Sequence, residues 1–278
     1  MLGAVLALTA MGVAGRELSA ELSPWGIVMF RNAIGLAAIL ALSGRYGRGI
    51  LRTSRWRLHG ARNVVHFAAQ VGWYYGLTYL TLAEVFAIEF TAPIWTALMA
   101  AMFLGERLTG SRIAAVLAGF AGTLVILRPG IEAVDPAALA VLAAAVGYAF
   151  AFAATKALTS TDSALTILFC MNLIQLPMSL GLSLINWVTP SPALWPWVLV
   201  TGLAGLASHY CLARAFALAD ASLITPIDFA RLPLAGLIGW LVYDEAVDAY
   251  VGIGALIIIL ANALNLRAQR RLEGRRRG

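Results

Sequence analysis

Charged residues are scarce in this sequence. Of its 278 residues, 12% are Asp, Glu, Lys or Arg, whereas 61% are hydrophobic and the mean hydropathy is +0.83. A soluble domain has about 25% charged and about 45–50% apolar residues, so this composition excludes a soluble globular fold and indicates a membrane protein. Ten spans of about 20 residues would use roughly 200 residues, which leaves no room for an independent soluble catalytic or nucleic-acid-binding domain.

Cysteine and histidine are also rare. The two cysteines, Cys170 and Cys211, lie in apolar stretches, so both are interpreted as packing residues and no disulfide framework is expected. The three histidines, His59, His66 and His209, are too scattered for a metal site, and neither an HExxH nor a GxSxG motif occurs. The sequence therefore predicts a protein that is not an enzyme and that needs no metal and no cofactor.

Apolar segments separated by charged and turn residues predict an all-α integral membrane protein with ten spans. The predicted limits are 1–15, 23–42, 63–80, 83–104, 113–128, 136–157, 164–187, 196–218, 221–243 and 249–266. The first segment lacks a basic start and a clean cleavage site, so it is interpreted as a span and not as a secretory signal.

Lysine and arginine fall almost entirely on one side of these spans. With crossings that alternate from a cytoplasmic N-terminus, 15 of the 20 lie in inner loops and the tail, and only Arg16 and Arg128 lie outside. The positive-inside rule therefore predicts that both termini are cytoplasmic. The basic clusters at 45–62 and after residue 267 are interpreted as topology signals, and no nucleic acid partner is expected.

The second half of the chain repeats features of the first at a shift of 139 residues. The shift aligns Ile88-Glu89-Phe90 with Ile227-Asp228-Phe229, Glu106 with Glu245, Leu127-Arg128 with Leu266-Arg267, and, after a one-residue slip, Pro93 with Pro233. This offset predicts two five-span repeats, residues 1–130 and residues 131–278, the second ending in a basic cytoplasmic tail. An odd number of spans inverts the second copy, an arrangement typical of secondary transporters with a substrate site near mid-membrane.

Short motifs at fixed places accompany the repeat. They are Ala83–Pro93, Leu104-Gly105-Glu106-Arg107-Leu108, Gly119 and Gly122, Arg128-Pro129-Gly130, and Ser23-Pro24 followed by Arg31; in the second half Tyr243-Asp244-Glu245 replaces Leu-Gly-Glu. These motifs resemble the EamA repeat of the drug/metabolite transporter superfamily. The resemblance implies ten helices in two inverted five-helix repeats, a central cavity, and movement of metabolites across the inner membrane, often outward. Size and aromatic content resemble most the YddG-type exporters of amino acids, especially aromatic ones.

The third span carries polar and aromatic side chains on two faces. One face holds, at helical spacing, Asn63, His66, Gln70 and Trp73. Tyr75 and Tyr79 lie nearly opposite. Polar groups inside a bilayer are costly unless they face a partner or a wet cavity, so the first face is a candidate site. The two tyrosines either belong to an aromatic belt or line the path and stack on an organic substrate.

Acidic residues occupy corresponding places in the fourth and ninth spans. Glu89 precedes a proline by four residues, and Asp228 has Arg231 three residues on, on the same helical face. The Asp228–Arg231 spacing permits either a structural ion pair or a clamp for the carboxylate and ammonium of an amino acid. Helix kinks or hinges are predicted at Pro93, Pro226 and Pro233.

The intramembrane polar and aromatic residues form two groups. Predicted substrate-binding residues are His66, Gln70, Tyr75, Tyr79, Glu89, Trp95, Tyr148, His209, Asp228 and Arg231. Interpreted as helix-to-helix hydrogen-bonding residues are Arg31, Asn32, Asn172, Gln175 and Tyr210. His66 and His209 are in addition candidate proton carriers.

We therefore expect a secondary transporter of the bacterial-type inner (plasma) membrane that works by alternating access. Its expected cargo is a small amphiphilic metabolite, with aromatic or neutral amino acids as the leading class and export as the expected direction. The alternative is the same fold carrying cationic drugs, vitamins or nucleoside-like compounds. A remote alternative is an intramembrane enzyme or a channel. The expected partners are a small-molecule substrate and membrane lipid, and the chain is expected to be a monomer or a homodimer.

Overall fold

The computed structural model confirms the all-α class. It describes residues 2–92, 94–96, 98–99, 110–127, 135–218, 231–246 and 248–277, and within these ranges it contains helices and no β-strand. The α-helices are α1 (Leu2–Leu18), α2 (Pro24–Tyr46), α3 (Trp56–Tyr79), α4 (Leu82–Glu89), α5 (Gly110–Leu127), α6 (Pro136–Leu158), α7 (Ala164–Ser183), α8 (Trp195–Leu218), α9 (Arg231–Tyr243) and α10 (Ala249–Arg277). Short 3-10 turns at Arg48–Leu51 and Pro192–Leu194 precede α3 and α8.

In the described ranges, four helical segments have both the length and the apolar composition needed to cross a membrane. They are Pro24–Arg45, Pro136–Leu158, Ala164–Ser183 and Pro192–Ala215. These segments match the predicted second, sixth, seventh and eighth spans. α3 is 24 residues long but carries Arg62, Asn63, His66 and Gln70, whose polar side chains lower its hydropathy. The count of ten spans and their inverted topology stay predictions.

Side-chain caps explain where several helices begin. Ser23 precedes Pro24, the first residue of α2, and its Oγ accepts a hydrogen bond from the Gly26 amide at 3.3 Å. Asp135 caps α6 in the same way and accepts from the Ala137 amide at 2.7 Å. Proline is tolerated at the first helical position because its missing N–H would have no partner there. The Ser-Pro and Asp-Pro pairs therefore mark two helix starts.

Helices from the two halves of the chain pack against one another. α1 lies along α8, α3 along α6, α2 along α7, α5 along α10, and α4 contacts α9. Small residues allow these close approaches: a Cβ added at Gly72 would lie 2.9 Å from the Ala140 carbonyl oxygen, and one at Gly122 would lie 2.8 Å from the Gly254 carbonyl oxygen. The polar face of α3 is thereby enclosed by other helices.

Candidate functional site

A group of polar side chains is buried where α2, α3 and α7 meet. We call it the central cluster; its members are Arg31, Asn32, Asn63, His66, Gln70 and Gln175. α2 supplies the first two, α7 supplies the last, and α3 supplies the other three from the face that helical spacing predicted. Every member is almost completely buried, which for polar groups in a membrane protein requires internal hydrogen bonds or a bound ligand.

Arg31 is the hub of the central cluster. Its side chain is only 2% exposed, and its Nη2 donates to Gln70 Oε1 at 2.9 Å, to Asn32 Oδ1 at 3.1 Å and to Gln175 Oε1 at 3.3 Å. All three acceptors are neutral amides. The bonds therefore satisfy one nitrogen of the guanidinium without compensating its charge.

Gln175 extends the central cluster toward the N-terminal end of α3. Its Nε2 donates to His66 Nδ1 at 2.9 Å and lies 3.3 Å from Asn63 Oδ1. The same Asn63 oxygen accepts from Arg62 Nη1 at 2.7 Å, and Arg62 Nε donates to Thr155 Oγ1 of α6 at 2.8 Å. A continuous chain of hydrogen bonds thus joins Arg31 to a second buried arginine.

Aromatic rings adjoin the central cluster on the side of α6 and α8. The His66 ring centroid lies 5.0 Å from that of His209 and 5.6 Å from that of Tyr148, and Tyr148 stacks on Phe152 at 6.3 Å. Three residues predicted from three different spans, His66, Tyr148 and His209, are therefore neighbours. Such rings offer flat surfaces on which an organic molecule can stack.

Glu89 forms a second buried polar group. Its Oε2 accepts from Trp73 Nε1 at 2.9 Å, and its Oε1 accepts from Arg231 Nη1 at 3.1 Å, which is also an ion pair. The Arg231 guanidinium carbon lies 5.3 Å from the ring centroids of both Phe86 and Phe90. Arg231 is thus paired with an acid 142 residues away in sequence.

The helix that contains Glu89 is interrupted immediately before a proline. α4 ends at Glu89, Phe90 and Thr91 form a turn, and the Thr91 amide bonds to the Ile88 carbonyl at 3.1 Å in place of a full α-helical bond. Loss of a backbone donor at Pro93 in the sequence is the expected cause of such a break. Asp228, Pro93 and Pro226 lie outside the described residues, and Pro233 lies in the first turn of α9.

Three predicted residues lie away from the central cluster. Tyr75 and Tyr79 are 37% and 61% exposed on the opposite face of α3, and their ring centroids are 4.9 Å apart. Trp95 donates from Nε1 to Thr91 Oγ1 at 3.1 Å and lines an apolar groove next to Leu117 on α5. The structure places the two tyrosines on an exposed face of α3, apart from the central cluster.

Three residues that the sequence interpretation assigned only to helix-to-helix hydrogen bonds belong to the central cluster: Arg31, Asn32 and Gln175. All three take part in such bonds, and Arg31 and Gln175 form the middle of the cluster. One signal in the sequence marks Arg31: it lies in the apolar run of α2 without an acidic residue on the same helix to pair with. Gln175 carries no comparable signal.

The family model for EamA-like transporters matches residues 1–128 and 135–267. This chain belongs to the EamA-like transporter family. The predicted membership of the drug/metabolite transporter superfamily is confirmed.

Proteins that are similar to this chain are named as transporters. The S-adenosylmethionine uptake transporter of Rickettsia prowazekii is 26% identical over 93% of this chain and 88% of its own. The riboflavin transporter of Rhizobium johnstonii is 33% identical over 82% and 76%, and the pseudopaline exporter of Pseudomonas aeruginosa is 27% identical over 88% and 87%. A crystal structure that shares 21% identity aligns with a TM-score of 0.71 over 98% of this chain and 96% of its own, which supports the fold.

This EamA-like transporter is therefore a multi-pass protein of the bacterial-type inner membrane that carries small metabolites. The family and these relatives are transporters and not enzymes. The expected likeness to YddG-type amino acid exporters is not supported, because the relatives are named for S-adenosylmethionine, riboflavin and pseudopaline. A high aromatic content does not distinguish amino acid exporters from other transporters of the family, because aromatic residues are common in apolar helix bundles.

Proposed function

We propose that this chain is an alternating-access secondary transporter whose cargo contacts the central cluster and the rings beside it. The single observation that carries the proposal is the continuous buried network that joins Arg31 to Gln70 and Gln175 across three helices. A purely structural contact between helices needs one or two hydrogen bonds, whereas this network concentrates charge and amide groups at one place. Mid-helix polar clusters enclosed by a bundle are where transporters bind cargo.

The helix pairing supports the ten-span inverted repeat, with repeats at 1–130 and 131–278. A two-fold axis that exchanges each helix with the one five places later maps the α1–α8 contact onto the α3–α6 contact. It maps the α2–α7, α4–α9 and α5–α10 contacts onto themselves. All of these except the α4–α9 contact are the most extensive contacts between helices in the described ranges. In this arrangement we expect Pro93, Pro226 and Pro233 to act as kinks or hinges.

The proposed cargo is a vitamin-like or nucleoside-like metabolite that combines a flat heteroaromatic ring system with a polar chain. Riboflavin and S-adenosylmethionine, for which relatives are named, both have this build. The rings of His66, Tyr148 and His209 provide stacking surfaces, and the amides of Gln70 and Gln175 provide hydrogen-bonding groups beside them. Side chains that can stack on flat rings therefore lie next to side chains that can form hydrogen bonds with polar groups.

Amino acids are the second candidate cargo, favoured by the pair formed by Glu89 and Arg231. A carboxylate and a guanidinium complement the ammonium and carboxylate of a zwitterion. The pair would have to open for both groups to bind, with Asp228 as the second acidic residue in the proposed site. Tyr75, Tyr79 and Trp95 are left out of the proposed contact set because of their positions.

Counterflow in proteoliposomes tests the proposal. Vesicles that contain the purified protein are loaded with unlabelled S-adenosylmethionine, riboflavin or phenylalanine and exposed to a trace of the same labelled compound. Saturable uptake that requires internal cargo of the same kind identifies a carrier and ranks the cargo classes. Uptake that does not saturate and ignores internal cargo would identify a channel and contradict the proposal.

A further inference from the structure

Arg31 and Arg62 differ in their partners from three other basic residues that are buried or half-buried, each of which contacts a carboxylate. Arg231 pairs with Glu89 at 3.1 Å, Arg16 with Glu245 at 3.0 Å, and His59 contacts Asp162 at 2.8 Å.

In the part of the chain that the structure describes, no carboxylate pairs with Arg31 or with Arg62. The acceptors around Arg31 are neutral: amide oxygens take its hydrogen bonds and the Tyr74 hydroxyl lies against its guanidinium, while the bonds from Arg62 go to a hydroxyl and an amide oxygen. The central cluster and its neighbour therefore hold two positive charges without a described counter-charge. An uncompensated buried charge is costly, and a bound group of opposite charge would offset that cost.

The atoms left without a partner in the central cluster are all hydrogen-bond donors. Among the described residues, Arg31 Nη1, Asn32 Nδ2 and Asn63 Nδ2 are buried and have no hydrogen-bond partner. The first two belong to side chains that are bonded to each other through Arg31 Nη2 and Asn32 Oδ1. Buried donors without partners are rare in folded proteins, and here they come in excess beside a surplus of positive charge.

We propose that Arg31 and Asn32 form an oxyanion subsite that binds a carboxylate of the cargo. The inference rests on the proposed transport function and narrows its substrate class. A carboxylate supplies two oxygens with lone pairs and one negative charge, which match the unpartnered donors and the uncompensated guanidinium. Asn63 Nδ2 offers a further donor on the far side of Gln175. Among cargo with flat rings, the subsite selects molecules that also carry a carboxylate, such as S-adenosylmethionine, over neutral ones such as riboflavin.

The first test is a binding measurement with matched pairs of probes that differ in one carboxylate. The pairs are S-adenosylmethionine with its decarboxylated form, phenylalanine with phenethylamine, and benzoate with benzamide, titrated into the purified protein in detergent. Because one charge-assisted contact contributes about tenfold in affinity, we expect the carboxylate member of at least one pair to bind about tenfold more tightly. The absence of a carboxylate preference in all three pairs, whether by equal binding or by no binding, would overturn the inference.

Two variants separate a binding role for Arg31 from a structural role. Gln70→Glu places a carboxylate where Oε1 lies 2.9 Å from Arg31 Nη2 and so supplies the missing counter-charge. We expect this variant to unfold at a higher temperature than the wild type while its carboxylate preference falls to about twofold or less, since its own carboxylate competes with that of the probe. Arg31→Gln is expected to lose the same preference.

The matched control is Arg16→Gln, which makes the same chemical change at an arginine that has an acidic partner. It is expected to retain the carboxylate preference. Retention of the preference by folded Gln70→Glu, or its loss in Arg16→Gln, would overturn the inference. Counterflow distinguishes the two proposals. Transport without a carboxylate preference would support the proposed function and contradict the subsite. Carboxylate binding without transport would contradict the proposed function and support a carboxylate site at Arg31 and Asn32.

Discussion

Two polar regions of this protein are built differently. At the end of the bundle predicted to face outward, Arg16 pairs with Glu245 and also donates to the backbone carbonyls of Leu77 and Leu80, both at 2.6 Å. The second carboxylate oxygen of Glu245 accepts from the Leu82 amide at 3.1 Å. Both charges of this pair therefore have an opposite charge and also a backbone group as partners.

The central cluster has the opposite character. Arg31 has only neutral acceptors, and three donors in the cluster lack partners among the described residues. A network whose charges and hydrogen bonds are complete can hold helices together by itself, whereas one with spare donors and spare charge is complete only with a ligand. Both regions contain buried polar residues, so their presence does not distinguish a structural network from a binding site. The difference is whether the charges and hydrogen-bond donors of the network have partners within the protein.

The largest effect is expected from Gln70→Leu, which removes an acceptor of Arg31. The guanidinium would remain buried with fewer partners, so the free energy of unfolding should fall by about 3 kcal/mol. Denaturation of the purified protein in detergent measures it. Thr201→Val is the control, because it removes only a neutral bond to the Tyr74 hydroxyl and should cost about 1 kcal/mol. Equal losses in the two variants would contradict the inference that the buried charge of Arg31 makes the bond to Gln70 more important than a neutral hydrogen bond.

Glu89→Gln should have the next largest effect. The change removes the negative charge that Arg231 and Trp73 contact, and we expect a loss of about 2 kcal/mol in the free energy of unfolding. Glu84→Gln on the same helix is the control; Glu84 forms a capping box with Thr81 that Gln can also form, so this change should cost about 0.5 kcal/mol or less. If Glu89→Gln were as mild as this control, the ion pair would not be a stabilising one.

A smaller effect is expected at the outer end. In a double-mutant cycle with Arg16→Gln and Glu245→Gln, the coupling energy between the two side chains should be about 0.5–1 kcal/mol, because the pair is partly exposed to solvent. Transport of the best cargo should persist in both single variants. A coupling energy near zero would show that the backbone contacts of Arg16 hold this end without the ion pair.

The smallest effect is expected on the exposed face of α3. Tyr79→Ala removes a ring that is 61% exposed and contacts Tyr75, so counterflow should stay within about twofold of the wild-type rate. Abolished transport in a folded Tyr79→Ala protein would restore the path-lining interpretation of this face.

Much of the fold could be predicted from the sequence. Apolar runs locate helices because the bilayer requires long apolar segments, and Ser23-Pro24 and Asp135-Pro136 mark helix starts by local chemistry. The buried face of α3 followed from helical spacing alone, since residues three or four apart share a face. These features depend on neighbours in sequence.

The partners of charged side chains could not be predicted in the same way. The described partner of Arg231 is Glu89, 142 residues away, and no local spacing indicated this pair, whereas the predicted pairing of Arg231 with Asp228 stays a prediction because Asp228 lies outside the described residues. Arg31 likewise finds Gln70 and Gln175 at separations of 39 and 144 residues. Helix packing decides such contacts, and a single sequence does not encode them in any local pattern.

The most direct test of the central claim is counterflow with wild type, Gln70→Glu and Tyr79→Ala in matched proteoliposomes, using a cargo that carries a carboxylate. The claim is that the cargo contacts the central cluster and not the exposed tyrosine face of α3. We expect a loss of about tenfold or more in exchange rate for Gln70→Glu, with higher thermal stability, and a wild-type rate for Tyr79→Ala. A wild-type rate in Gln70→Glu together with loss of exchange in Tyr79→Ala would contradict it.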